Sequence, residues 1–371
     1  MKRKAVALMT AALLAVNLLA ACGGDSGETK GAETDAATEA VDVKSEETKG
    51  SETEANETTA AGETKGEAAA SGETVKIGVV QLTEHPALDA AYDGFVEALK
   101  EAGYEEGKNL ELDFNNAQGD VSNCETIANK LVNDKNDLIL AIATPAAQAV
   151  AGKTTEIPIL ATAVTDFAEA GLVDSNDAPG TNVSGSSDMN PVEEQISLLQ
   201  ELLPDAKKIG IMYCSSEDNS ILQADMAKEV CKAKNLEYEE YTVSDSTMIQ
   251  SVTESMIGKV DAVYIPTDNL LAEAMATVTM ITNENGLPCI VGEENMVKNG
   301  GLATYGLDYF ALGKLAGNMA VDIIENGTDV STMPVQYISA EDCSLAVNSK
   351  AATDLGVSLD GVMDRAEDLA E

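Results

Sequence analysis

Residues 75–82 read VKIGVVQL, and residues 207–214 read KKIGIMYC. Each is a short run of β-branched and apolar residues, followed by a polar corner and then by a helix-like segment. Continuous apolar runs of this length fit strands buried on both faces of a parallel sheet. Working outward from the first run, strand candidates lie at 109–116, 137–143, 158–164 and 181–186. Outward from the second they lie at 237–243, 261–266 and 288–292. Helix-like segments alternate with them at 86–102, 122–134, 145–152, 191–203, 218–234, 246–258, 269–285 and 309–326. Ser122 with Glu125, and Ser246, read as helix starts, and Pro191 as a first-turn proline. Gly103, Gly258, Gly286 and Gly327 read as helix ends.

Strand–helix alternation implies right-handed βαβ crossovers. The alternation falls into two similar halves. The expected fold class is therefore α/β, with two doubly wound parallel-sheet lobes joined by a hinge; one large open sheet is the alternative. Lobe 1 is expected over 75–187 with part of 303–330, and lobe 2 over 188–302 with part of 331–371. In either arrangement a ligand sits outside the carboxyl ends of the strands.

The segment before residue 75 differs in kind. Lys2, Arg3 and Lys4 precede an apolar run, 5–19, that is short for a membrane span and ends Leu19-Ala20-Ala21-Cys22. This ending resembles the lipobox of bacterial lipoproteins. It implies a signal peptide over 1–21 and a lipidated Cys22; an ordinary secretory peptide is the alternative. Residues 23–74 hold 14 acids, 4 lysines and no aromatic residue, and Glu-Thr-Lys-Gly recurs at 28–31, 47–50 and 63–66. So little apolar surface cannot offset chain entropy, so 22–74 is expected to be a disordered acidic tether.

Charge excludes several functions. The chain carries −41 over 371 residues, of which residues 75–371 carry −34. Nucleic acid and anionic membrane faces require clustered Lys and Arg, which are absent. A single histidine, His85, removes multi-His metal sites and HExxH. No metal or cofactor is expected. Cys124, Cys214, Cys231, Cys289 and Cys343 form no CxxC and are odd in number, so a disulfide framework is not expected. Cys214 and Cys289 read as buried thiols.

Enzyme motifs fail on single positions. Gly152-Lys153-Thr154 has Ala147 where a P-loop needs glycine, and no GxGxxG follows the first strand. Gly185-Ser186-Ser187 meets Met189 where a nucleophile elbow needs glycine. A Ser-His-acid triad has only His85 to use. The expectation is a protein that is not an enzyme.

The strand-to-helix corners are polar instead. They hold Gln81, Thr83, Glu84 and His85; Thr144-Pro145-Ala146-Ala147-Gln148; Thr165-Asp166-Phe167; Ser215-Ser216-Glu217-Asp218-Asn219-Ser220; Thr267-Asp268-Asn269; and Glu293-Glu294-Asn295. Any one of these is explained by helix capping. The set is better explained by convergence on one cleft.

Five stretches carry a closer likeness: KIGVVQLTEHPALDAAYDGFVEAL from residue 76, ATPAAQA from 143, AVTDFAEAGLV from 163, MNPVEEQISLLQELLPDAKKIGIMYCSSEDNS from 189 and YIPTDN from 264. Together they resemble one family of ABC-transporter substrate-binding proteins with the type I periplasmic-binding-protein fold, which includes tryptophan- and tyrosine-binding lipoproteins. Phe167 departs from the family pattern, where proline is expected. The resemblance implies a lipid-anchored receptor on the extracytoplasmic face that closes on a small ligand and delivers it to an ABC permease and ATPase. An aromatic or apolar amino acid is the expected ligand; a sugar, nucleoside or amine, or a sensor role, is the alternative.

No Arg lies between Lys4 and Asp364, so no guanidinium clamp holds a ligand carboxylate. The hydroxyl and backbone N–H groups of Thr144 and Ala146 at a helix start, with Ser215, Ser216 and Ser220, are expected to serve instead, and Pro145 to line the site beside them. Asp268, then Asp166, then Glu217 are expected to take the ammonium group. His85, Pro86, Leu88, Phe167 and Tyr213 are expected to form the side-chain pocket. Gln81, Asn219, Asn269 and Glu293 complete the expected polar lining.

Overall fold

A computed structural model describes residues 74–339 and 343–370. The expected signal peptide, Cys22 and nearly all of the acidic tether lie outside these residues. The first half runs β1 (Val75–Gln81), α1 (Pro86–Glu101), β2 (Leu110–Asn116), α2 (Val121–Asn133), β3 (Leu138–Ile142), α3 (Thr144–Ala151), β4 (Ile159–Val164) and β5 (Val183–Ser187). The second runs α4 (Val192–Leu202), β6 (Lys208–Cys214), α5 (Asp218–Ala233), β7 (Glu237–Val243), α6 (Ile249–Met256), β8 (Ala262–Ile265), α7 (Asn269–Glu273), α8 (Met275–Glu284), β9 (Cys289–Val291), α9 (Glu294–Lys298) and β10 (Ala303–Gly306). Then come α10 (Tyr309–Asn326), β11 (Gln336–Tyr337), β12 (Ser344–Val347), α11 (Ser349–Leu355) and β13 (Glu367–Asp368).

Two sheets result. One has the order β11-β5-β4-β3-β1-β2, and the other β13-β12-β10-β9-β8-β6-β7. The orders β2-β1-β3-β4-β5 and β7-β6-β8-β9-β10 are the same pattern used twice. All ladders are parallel except β10 with β12. The all-apolar run of β3 is buried throughout in the middle of its sheet. The mixed runs LELDFNN of β2 and EYEEYTV of β7 lie at sheet edges, where one side meets water.

The chain passes between sheets three times: after β5, after β10, and between β11 and β12. The helix between the last two passages, α10, packs along α1 in the first lobe, with backbones nearly touching. A Cβ on Gly94 would sit 2.0 Å from the Phe310 carbonyl oxygen, and one on Gly313 would sit 1.9 Å from that of Ala91. Only glycine fits there. One apolar core fills the first lobe, running from Ile77 through Phe95 and Leu140 to Leu312. The second lobe has a core on each sheet face, because alternate residues of β6 face opposite ways. Ile209, Ile211 and Tyr213 lie in one core, and Met212 and Cys214 in the other.

Several local expectations change. The cap of α2 is Asp120, whose carboxylate accepts from the Ser122 N–H at 2.7 Å, so Ser122 and Glu125 do not form the start. Asp245 rather than Ser246 caps the next such start, accepting from the Thr247 N–H before a single 3₁₀ turn leads into α6. Pro191 occupies the cap position of α4 itself. The helix expected over 269–285 breaks at Ala274 into α7 and α8. Gly103, Gly258, Gly286 and Gly327 all adopt positive φ, as helix-terminating glycines do. Cys124, Cys214, Cys231 and Cys289 are buried free thiols.

Candidate functional site

The strands of both sheets end at one cleft. His85 and Leu88 enter it from the start of α1, Ala163 from the end of β4, and Asp188 from just after β5. Across the cleft stand Asn219 from α5, Thr267 and Asp268 ahead of α7, Asn269 and Ala272 within it, and Glu293 at the cap of α9. Tyr309, at the start of α10, completes the wall. Together they line a tight interlobe cavity of about 10 Å³, room for about one water. A groove between the lobes adjoins it at Asn219 and carries Thr144, Asp166, Glu169, Asp218 and Asp225.

The lobes touch directly. Thr83 donates to Glu273 at 3.0 Å, and the amide of Gln148 donates to Asp218 at 2.8 Å. His85 Nε2 lies 3.4 Å from Asn269 Oδ1, and the Gln223 amide donates to Thr165 at 3.2 Å. Each pair joins a first-lobe residue to a second-lobe one, so the cleft is closed.

Backbone strain concentrates on the first-lobe side. Ala143, the residue before α3, has φ 85°, and Ala163 has φ 55°. Such conformations cost a side-chain-bearing residue on the order of 1–3 kcal/mol and cluster at functional sites. Three buried polar atoms at the cleft have no partner among the described residues: His85 Nδ1, Thr144 Oγ1 and Asn219 Oδ1. Each such atom costs about 1–3 kcal/mol until something satisfies it.

The second-lobe carboxylates are differently placed. Asp268 accepts the Cys214 N–H at 2.6 Å with one oxygen and the Leu271 N–H at 2.8 Å with the other. Glu293 accepts from Asn295 and Met296, capping α9. Glu217 accepts from the backbone of Asn269 and Leu270 and from the Asn269 amide, so it too caps α7. Burial, followed by the nearby Glu217 charge, pushes the Asp268 carboxyl upward, and burial raises Glu293 to about 7. Burial also raises Asp188 to about 6, against the opposing bonds from Tyr309 and Thr165. Burial lowers His85, with the Asn269 contact opposing, so its ring is neutral at pH 7.

Six residues named from sequence line the cavity: His85, Leu88, Asn219, Asp268, Asn269 and Glu293. Thr144, Asp166 and Asn219 line the adjoining groove, where Asp166 caps a turn by accepting from Ala168 and Glu169. Pro145 and Ala146 are buried behind Thr144 in the first turn of α3. Ser220 is buried beside Asn219, whose amide donates to it at 3.2 Å.

Other expected residues lie elsewhere. Tyr213 is turned by strand alternation into the α5-side core, where its hydroxyl donates to Glu240 at 2.7 Å. Phe167 is fully buried in the first-lobe core. Ser215 and Ser216 are exposed and donate to the Val243 and Ser244 carbonyls. Pro86 is exposed as the opening residue of α1. Gln81 is turned inward, donating to the Thr83 carbonyl and to Asp89.

Ala163, Asp188, Thr267, Ala272 and Tyr309 line the cavity without having been named as ligand contacts. Thr267 and Asp188 carried a usable signal, as polar residues just past strand ends. Tyr309 carried none, because its position depends on the second passage between lobes.

A family model for ABC transporter substrate binding protein matches residues 76–368. The chain belongs to this family. It is 44% identical over 279 residues to the tyrosine-binding protein of Clostridioides difficile strain R20291, covering 75% of this chain and 81% of that one. A Streptococcus pneumoniae crystal structure in complex with L-Trp has 36% identity and a TM-score of 0.77, over 80% of this chain and 99% of that one. A ligand-free, open substrate-binding protein with adhesive properties from Clostridium difficile has 43% identity but a TM-score of 0.63, over 80% of this chain and all of that one. Identity is thus higher with the ligand-free, open protein, while the TM-score is higher with the Trp complex.

Proposed function

We propose that this substrate-binding protein is the lipid-anchored, extracytoplasmic receptor of an ABC importer for an aromatic amino acid. The carrying observation is the closed interlobe cleft, a tight cavity with its adjoining groove, with unpartnered polar atoms on both of its walls. The relatives that bind L-Trp or are named for tyrosine support the ligand class. The closed shape supports enclosure as the binding step, since a ligand drives closure only by contacting both lobes.

Thr144 Oγ1 and the free N–H groups of the first turn of α3 are placed for the ligand carboxylate, with no guanidinium needed. Such charge-assisted bonds contribute about 1.5–3 kcal/mol each. Leu88, Ala163 and Ala272 offer apolar wall for a ring. Cys22 supplies the anchor in this reading, on the strength of the sequence around it.

Thermal unfolding of the purified chain against the twenty amino acids, a sugar panel and a nucleoside panel tests the class. L-Tyr or L-Trp at about 100 times its Kd is expected to stabilise the chain by about 2.7 kcal/mol. A shift with a sugar or nucleoside and none with any amino acid would sink the proposal.

A further inference from the structure

We infer that Asp188 takes the ligand's ammonium group and that Tyr309 positions it. This rests on the amino acid reading above. Three carboxylates line the cavity: Asp188, Asp268 and Glu293. Asp268 accepts the Cys214 N–H at the end of β6 and the Leu271 N–H in the first turn of α7, and Glu293 accepts two N–H groups at the start of α9, so both oxygens of each are already engaged by backbone. Asp188 is 3% exposed, and its side-chain donors among the described residues are neutral hydroxyls: Thr165 to one oxygen at 3.1 Å and Tyr309 to the other at 3.0 Å, with its own backbone N–H adding to them. No Lys or Arg is among the described residues lining the cavity. A buried carboxylate without a counter-ion is costly, and an ammonium group in the cavity supplies one.

The location adds a second argument. Asp188 lies on the first passage between the lobes and Tyr309 directly follows the second, so their bond ties two hinge segments together. Thr165 extends the chain to Gln223 in the second lobe. A positive charge at Asp188 therefore acts on the groups that move when the lobes close. The titratable groups around it are Tyr309, which bonds it, and His85, Asp268 and Glu293 across the same cavity. The depressed His85 leaves no competing cation there at pH 7.

The test is calorimetric titration of the purified chain with L-Trp and L-Tyr and with their deamino analogues, 3-(indol-3-yl)propionate and 3-(4-hydroxyphenyl)propionate. Asp188→Asn is expected to weaken the amino acids by at least ~30-fold and the analogues by less than about threefold. Tyr309→Phe removes a donor that favours the ionised carboxylate, so the pH below which amino acid affinity falls is expected to move upward. That readout stands even if Asp188→Asn fails to fold. Equal losses for both ligand types, or no loss in Asp188→Asn, would overturn the inference, as would an unmoved pH profile in Tyr309→Phe. If neither amino acid binds the wild-type chain, the ligand class fails and this inference fails with it.

Discussion

The two lobes build the same strand-to-helix corner and use its acids to different degrees. In the second lobe the corner acids are spent on structure: Glu217 and Asp268 hold the start of α7, and Glu293 holds the start of α9. In the first lobe and the hinge, the corner groups are left over. His85 Nδ1 and Thr144 Oγ1 have no partner among the described residues, Ala143 and Ala163 are strained, and the side chains that bond Asp188 are hydroxyls. A polar residue after a strand is thus a cap or a contact according to whether a helix N–H reaches it first. The two lobes should therefore respond differently to mutation.

The largest difference is expected with pH. Asp188 has a folded value near 6, above its ordinary 3.8, so the folded chain binds this proton more tightly than the unfolded one. The stability this gives is present at low pH and is lost as pH rises from about 4 through 6. Asp188→Asn removes this group's share of the dependence, leaving the like-signed shares of Asp268 and Glu293. The ligand-free variant is expected to gain on the order of 3 kcal/mol over wild type between pH 4 and pH 7.5, read by denaturant unfolding. Parallel profiles for the two proteins would contradict this.

Asp268→Ala is expected to come next. It strips acceptors from two buried N–H groups and should lower unfolding free energy by about 2–4 kcal/mol at neutral pH. Thr144→Val is the first-lobe counterpart. It removes a hydroxyl with no partner among the described residues, so unfolding should change by less than about 0.5 kcal/mol. Affinity for the aromatic amino acid should instead drop about tenfold. Equal stability losses at both positions would erase the contrast between the lobes. The smallest effect is expected for Gln148→Ala, which removes one cross-lobe bond and one bond to the Ala170 carbonyl and should weaken binding about two- to fivefold, seen by calorimetry.

How much of this was legible follows from the same physics. The strands β1 to β9 and the eight expected helical segments were readable, most of them from an apolar run or a helical period. The strands β10 to β13 are two to four residues long, too short for a period to show. Thr144, Asp268 and His85 could be read as cleft residues because parallel strands send their carboxyl ends to one side. What could not be read was partnership. Tyr213 looked available until β6 turned it toward α5, and Ser215 and Ser216 until the carbonyls after β7 claimed them. Asp188 and Tyr309 lie 121 residues apart, and no local pattern joins them.

The central claim is that the cavity between the lobes encloses an aromatic amino acid. Crystals of the chain grown with L-Tyr or L-Trp test it most directly. The account predicts closed lobes, with ligand density between His85 and Asp268, its carboxylate at Thr144 and its ammonium at Asp188. Closed lobes holding a ligand of another chemical class, or the amino acid bound outside the cleft, would contradict it.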